Sequence, residues 1–358
     1  IDPRDGTIKA MVGGVDFEKN QLNMAVSPRQ PGSAIKPLYY AAAIDEGIIT
    51  PDTTLNNKAR DFGGYFPHND STAPAKATVR QALTNSYNVA SVEILNRLGV
   101  DEAFRYLENF GISSLTDNDK NLALGLGGMS RGISPLQMAA AFGVFADQGR
   151  YHQPYCIEKI EDPSGEVIYS NESLNRRVIN SNTVVLMDSM LKDVVRYGTG
   201  SSAAIAIKSG GKTGTTTDSR DLWYVGYTEE LATAVWVGNS DGKAVGGYST
   251  YGGKVSGPIW RDYMNSLYYG YVLEEKPLPK SIEEESPSEP TENTEQPGQN
   301  SESEQPSAGE SNPLEDRGET GSGNSADEVT PPVQTPSGST STPDGEQIET
   351  PASPDIKI

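Results

Sequence analysis

The sequence predicts an α+β fold, with an antiparallel sheet assembled from both ends of the chain and covered by helices. Three observations predict it. Helical periodicity dominates the middle of the chain, strand-like segments gather towards the two ends, and the later strands are joined by turns short enough for hairpins.

A strand over residues 6–13 leaves the tight turn signalled by Arg4, Asp5 and Gly6. A helix is expected from Ser33 to Glu46, with Ile35, Leu38, Tyr39, Ala42 and Ala43 as its apolar residues and Gly47 closing it. Thr78 and Gln81 form a capping box for a short helix that should break between Asn85 and Asn88. The helical pattern resumes from Val89 to Leu98 and stops at Gly99. Asp101 to Phe110 is the next helix, with Phe104 and Leu107 one turn apart and Gly111 at its end. Ser134 supplies an N-cap and Pro135 a first-turn proline for a helix running to Gly149. Residues 155–161 and 167–169 flank the Pro163, Ser164, Gly165 turn as a hairpin. The spacing of Leu186, Met190, Leu191 and Val194 makes residues 183–197 helical, ended by Gly198. Residues 222–227 and 231–237 form a second hairpin, and Pro258 opens a last helix containing Trp260, Tyr263 and Leu267. No internal repeat is visible.

An apolar content of 35% is low for a chain folded throughout, and the deficit is local. Residues 276–358 hold 18 acidic and 4 basic side chains, a net of −14 out of the chain's −20. The domain boundary is drawn after residue 272, and 273–358 is expected to be a disordered acidic tail rich in Ser, Pro and Glu. Such a stretch cannot bury enough apolar surface to offset the entropy of ordering. It reads as a solvated spacer, with partner binding as the alternative. A single cysteine, Cys156, excludes an intrachain disulfide and is expected to be a small buried hydrophobe. His68 and His152 lack metal-site spacing, so no metal is expected; another cofactor and a nucleic-acid partner are not expected either. No run of 18 apolar residues occurs, and the chain opens on Ile1 rather than a methionine or charged leader, so it reads as a fragment or a processed chain.

The chemistry starts from Ser33 and Lys36. Three residues apart on a helix, they share a face, so the amine can reach the hydroxyl and take its proton. The pairs Ser189/Lys192, Ser209/Lys212 and Ser240/Lys243 have the same spacing. Only Ser33 follows a Pro-Gly pair at the first turn of an apolar helix, where unpaired amides favour a developing anion. Ser86, Tyr87 and Asn88 fall at the expected helix break, where they read equally as a loop capping the next helix or as catalytic. Lys212, Thr213 and Gly214, followed by Thr215, suit a strand that pairs with an extended peptide while the cation and hydroxyls hold its carboxylate.

Ser-x-x-Lys, Ser-x-Asn and Lys-Thr-Gly therefore stand in that order, separated by 53 and 126 residues. With these motifs the chain resembles the transpeptidase domain of a class A, bifunctional penicillin-binding protein. The resemblance covers roughly residues 1–270. It extends to Ile1, Asp2 and Pro3, to residues 10–14 and 29–33, to Gly127 and Gly128 ahead of Ser134, and to residues 212–216 and 223–227. Tyr87 stands where the β-lactamase form of the middle triplet has aspartate, which favours the synthetic enzymes. The resemblance implies the serine β-lactamase/transpeptidase fold, an antiparallel sheet with an all-helical subdomain. It also implies a D,D-transpeptidase that crosslinks peptidoglycan stem peptides ending in D-Ala-D-Ala and is acylated by β-lactams. Ser33 would be the nucleophile, Lys36 its base and Ser86 a proton relay, while Asn88 would hold Lys36 and the substrate amide. Lys212, Thr213, Gly214 and Thr215 would form the substrate-binding strand, and the amides of Ser33 and Thr215 the oxyanion hole. The parent would be anchored in the membrane upstream, on its extracytoplasmic face, and would also carry a glycosyltransferase. A D,D-carboxypeptidase, a β-lactamase and a non-catalytic β-lactam sensor are the alternatives on this fold.

Overall fold

A computed structural model describes residues 1–172, 174–247 and 250–270; the expected tail lies outside them. The helices are α1 (Lys36–Asp45), α2 (Val79–Thr84), α3 (Asn88–Leu98), α4 (Val100–Asn109), α5 (Pro135–Ala146), α6 (Ser181–Tyr197) and α7 (Gly252–Tyr269). The strands are β1 (Thr54–Asn56), β2 (Lys76–Thr78), β3 (Arg150–His152), β4 (Lys159–Glu161) and β5 (Val167–Ser170). After them come β6 (Asn175–Arg177), β7 (Gly210–Thr215), β8 (Asp221–Tyr227) and β9 (Ala232–Gly238).

Local chemistry sets most boundaries. The capping box of α2 forms as expected: Thr78 Oγ1 accepts from Gln81 N at 3.2 Å and Gln81 Oε1 from Thr78 N at 2.9 Å. At α5 the expected N-cap is half of a second box, in which Gln137 Oε1 also accepts from Ser134 N at 3.0 Å. The helix expected from Ser33 begins as a 3-10 turn, Gly32–Ile35, and becomes α-helical at Lys36. Proline explains the change. The α-helical bond to the Ser33 carbonyl would come from Pro37, which has no N–H, so Lys36 N–H takes it three residues on.

The main sheet runs β7-β8-β9, antiparallel throughout, with Lys212 opposite Val225 and Trp223 opposite Trp236. Its middle strand is buried along its whole length because helices cover both faces. On one face Tyr227 meets Phe145 of α5, and on the other Tyr224 meets Trp260 of α7 with ring centroids 5.2 Å apart. Three two-stranded ribbons, β1-β2, β3-β6 and β4-β5, lie outside this sheet, the last being the first expected hairpin.

Three expectations are corrected. The strand at residues 6–13 is reduced to one bridge, Thr7 with Tyr155, and its further residues Met11 and Val12 lie exposed with no ladder beside them. At the N-terminal end, Ile1 exchanges backbone bonds with Ala232 of the sheet at 2.8 and 3.0 Å. Helix α7 opens at Gly252, with Pro258 inside it, because Gly252 and Gly253 hide the start from a propensity reading. Cys156 is exposed rather than buried, in a segment that leaves the Thr7–Tyr155 bridge into solvent.

Helix α1 is the hub. Every residue from Lys36 to Ile44 is buried, and α3, α4 and α6 pack around it. Burying a side chain such as Leu38 stabilises by about 1.5–3 kcal/mol. Its two tyrosines are satisfied, Tyr39 donating to Gly125 O at 3.0 Å and Tyr40 paired with Ser91 Oγ at 2.7 Å. The result is a rigid pedestal for residues 33 and 36.

Candidate active site

The turn that carries Ser33 is fastened to the sheet on its N-terminal side. Arg29 donates to Asp221 Oδ1 at 3.1 Å and to Asn239 O at 2.7 Å, with its guanidinium over Trp236. The Gln30 carbonyl accepts from Trp223 Nε1 at 2.7 Å, and the Gln30 side chain brackets the backbone of Met129. Gly32 has φ +52, and a Cβ there would lie 2.8 Å from the Thr215 carbonyl oxygen. A Cβ on Gly214 would in turn overlap the Pro31 carbonyl. Two glycines thus let the serine turn and strand β7 touch backbone to backbone.

The other side is closed by the break between α2 and α3. Ser86 has φ +61, a left-handed conformation uncommon outside glycine. Lys36 Nζ donates to Ser86 O at 2.8 Å, to Asn88 Oδ1 at 2.9 Å and, longest, to Ser86 Oγ at 3.4 Å. Lys212 Nζ reaches the same Ser86 Oγ at 2.9 Å and the Thr213 carbonyl at 3.0 Å. The expected residues therefore meet: Ser86 sits between two lysines from different elements, and Ser33 lies on the turn against Thr215. The expected contact between Lys36 and Ser33 is not among the hydrogen bonds of Lys36, which faces the Ser86–Asn88 turn.

Both lysines are fully buried. Burial disfavours the ammonium form, so Lys36 is held well below its ordinary range, with the Lys212 cation adding to the effect. Burial alone lowers Lys212 to about 7. Neither has an ion-pair partner among the described residues.

Along β7, Thr213 Oγ1 is paired with Thr199 Oγ1 at 2.8 Å, and Thr215 Oγ1 accepts from Gly252 N at 3.0 Å. That leaves the Thr215 hydroxyl hydrogen free to donate. β7 is an edge strand, with no strand paired on its other side among the described residues. Two of the competing pairs lie elsewhere: Ser189 accepts from Arg80 at 3.1 Å, and Lys192 and Lys243 form ion pairs with Asp188 and Asp241, while Lys212 of the third pair belongs to the site through its bond to Ser86. Among the described residues no His, Cys, Asp and Glu cluster could hold a metal ion.

Sequence reasoning missed two asparagines. Asn69 Oδ1 accepts from Asn88 N at 2.7 Å and Val89 N at 3.1 Å, and Asn57 Oδ1 accepts from Ala90 N at 3.2 Å. One signal existed: Tyr87 offers the first amides of α3 no side-chain acceptor, so their partner had to come from elsewhere.

The sequence profile of the penicillin binding protein transpeptidase domain matches residues 1–265. The chain belongs to this family. Its transpeptidase domain is 32% identical over 339 residues to penicillin-binding protein 1A of Pseudomonas aeruginosa, covering 78% of this chain and 40% of that protein. It is 37% identical over 246 residues to penicillin-binding protein 1F of Bacillus subtilis, covering 66% of this chain and 34% of that protein. These likenesses group it with the class A penicillin-binding proteins, and the chain spans under half the length of either relative. Among solved structures, penicillin-binding protein 1A from Haemophilus influenzae superposes with a TM-score of 0.67 at 28% identity, over 78% of this chain and 48% of that one. The Mycobacterium tuberculosis PonA1 protein in complex with penicillin V gives 0.68 at 25% identity, over 75% of this chain and 77% of that one. The transpeptidase domain thus has the penicillin-binding fold, as the motifs implied.

Proposed function

We propose that the domain is a D,D-transpeptidase working through an acyl-enzyme on Ser33, and that β-lactams block it by acylating the same oxygen. The observation that carries the reading is the pair of fully buried lysines meeting at Ser86 Oγ, beside the turn that bears Ser33. Lys36, kept uncharged by burial and by Lys212, takes the Ser33 proton as Oγ bonds to the carbonyl carbon of the penultimate D-alanine. The amides of Ser33 and Thr215 receive the oxyanion, since their backbones run side by side where Gly32 meets Thr215. The peptide C–N bond then breaks, and Ser86 passes the proton to the departing D-alanine nitrogen. An amine from a second stem attacks the ester, forms the crosslink and returns its proton to Ser33 through Lys36. Lys212 and the Thr215 hydroxyl hold the terminal carboxylate, with Thr213 and Gly214 shaping the strand that receives it, while the Asn88 side chain orients Lys36 and the substrate amide.

A β-lactam follows the first half of this course, but its leaving nitrogen stays tethered and blocks the acceptor. The parent protein is read as anchored in the membrane, facing outward, and as carrying a glycosyltransferase. Residues 273–358 are read as a spacer beyond a domain ending at 272.

The test uses a stem pentapeptide ending in D-Ala-D-Ala with a free amine acceptor. Wild type should release D-alanine and form the acceptor-linked product, and Ser33→Ala neither. Release of D-alanine without exchange would make the domain a carboxypeptidase, and rapid nitrocefin hydrolysis would make it a β-lactamase.

A further inference from the structure

We infer that Asn69 is a positioning residue for the reaction: its side-chain oxygen fixes the first turn of α3 and, through it, Asn88 Oδ1, which accepts from Lys36. This rests on the transpeptidase reading above. Helix α3 has no cap from its own sequence, because Tyr87 makes no side-chain bond to the first amides. Asn69 supplies it from 19 residues upstream, accepting from Asn88 N at 2.7 Å and Val89 N at 3.1 Å. Its amide nitrogen is anchored on Asn57, at 2.9 Å from the carbonyl and 2.8 Å from Oδ1.

Asn57 is buried, donates to Pro74 O at 3.0 Å and accepts from Ala90 N at 3.2 Å. Three successive amides of α3 are therefore bound by two side chains outside the helix. The same segment also orients Asn88 itself: the His68 carbonyl accepts from Asn88 Nδ2 at 3.0 Å, which turns Oδ1 towards Lys36 at 2.9 Å. Ser86 lies immediately before this turn at φ +61, a conformation its surroundings must impose. Freeing the start of α3 would let Asn88 drift, and Lys36 would lose its Oδ1 acceptor. Asn69 makes none of the hydrogen bonds of Lys36, Ser86 or Lys212, so its effect has to travel through Asn88.

The experiment is single-turnover acylation by a fluorescent penicillin, scored per folded molecule, for wild type, Asn69→Ala, Asn69→Asp, Asn88→Ala and the Asn69→Ala/Asn88→Ala double variant. Asn69→Ala should acylate at least about tenfold more slowly than wild type. Asn69→Asp keeps an oxygen facing both amides but sets its second oxygen against the Asn57 carbonyl and Oδ1, so it should acylate faster than Asn69→Ala and more slowly than wild type. On the Asn88→Ala background, adding Asn69→Ala should slow the reaction by less than about twofold, because coupled residues are not additive. A role in stability alone would lower the folded fraction and leave the rate per folded molecule unchanged. The inference is overturned if Asn69→Ala acylates at the wild-type rate, if its loss persists in full on the Asn88→Ala background, or if Asn69→Asp is as slow as Asn69→Ala. Should Asn69→Ala yield no folded protein, Asn69→Asp takes its place. A wild-type rate, or a loss that shrinks to less than about twofold on the Asn88→Ala background, then supports the inference, and a loss that persists in full on that background overturns it. A wild type that fails to acylate overturns the transpeptidase reading, whereas an acylating wild type with unaffected variants overturns only the role of Asn69.

Discussion

Lys36 lies at the foot of a buried helix and Lys212 on an edge strand, and both end at one serine oxygen. Burial disfavours the charge on both, and the Lys212 cation further disfavours that on Lys36, which favours an uncharged amine there. Removing Lys212 therefore raises the Lys36 pKa, because a neighbouring positive charge is gone. In Lys212→Ala the acid limb of the acylation pH profile should move to higher pH, apart from any loss of rate through weaker carboxylate binding. An unmoved limb would show that Lys212 does not set the charge state of Lys36. At this scale spacing alone did not single out Ser33 and Lys36, since three other pairs share it and the preceding Pro-Gly pair chose between them. In the structure Lys36 bonds the Ser86–Asn88 turn instead of Ser33. The sequence was silent on Asn57 and Asn69, whose partners lie 33 and 19 residues away and whose neighbours read as an ordinary turn.

The helix elements were legible where capping and proline chemistry is local. Ser134→Ala removes the acceptor for Gln137 N and should lower unfolding stability by about 1 kcal/mol in urea titrations, with acylation per folded molecule unchanged. The elements misread are those whose reason for existing is tertiary. Gly252 and Gly253 start α7 only because a side chain at either would strike the backbone of β7, β8 or Thr199. The strand expected at residues 6–13 had the right composition but found a partner only at Thr7. Gly32 shows the same dependence at the site. In Gly32→Ala the new methyl would lie 2.8 Å from the Thr215 carbonyl at a positive φ, pushing the serine turn off β7. Acylation should fall about a hundredfold, as measured with a fluorescent penicillin, and a wild-type rate would contradict the contact between turn and strand.

Over the whole molecule, the buried lysines carry a stability cost with a definite pH sign. Lys212 titrates near 10.5 when unfolded and at about 7 when folded, so between those values the unfolded state holds more protons. Stability should therefore rise with pH from about 7 towards 10, with Lys36 contributing in the same direction. Above that range the buried tyrosines Tyr39, Tyr40, Tyr224 and Tyr227, all raised by burial, keep protons that the unfolded chain loses, and stability should fall. Thermal melts across pH 7–11 should show this maximum, flattened on its acid side in Lys212→Met; a steady decline from pH 7 would contradict the burial argument. Fold class was legible at this scale because the hairpin and the covering helices are local patterns, whereas the convergence of residues 33, 86 and 212 came from motif order. The central claim is that these residues form one acylating site, and intact mass after incubation with penicillin tests it most directly. The account predicts that wild type gains the mass of one penicillin and Ser33→Ala gains none; an equal adduct on both, or none on either, would contradict it.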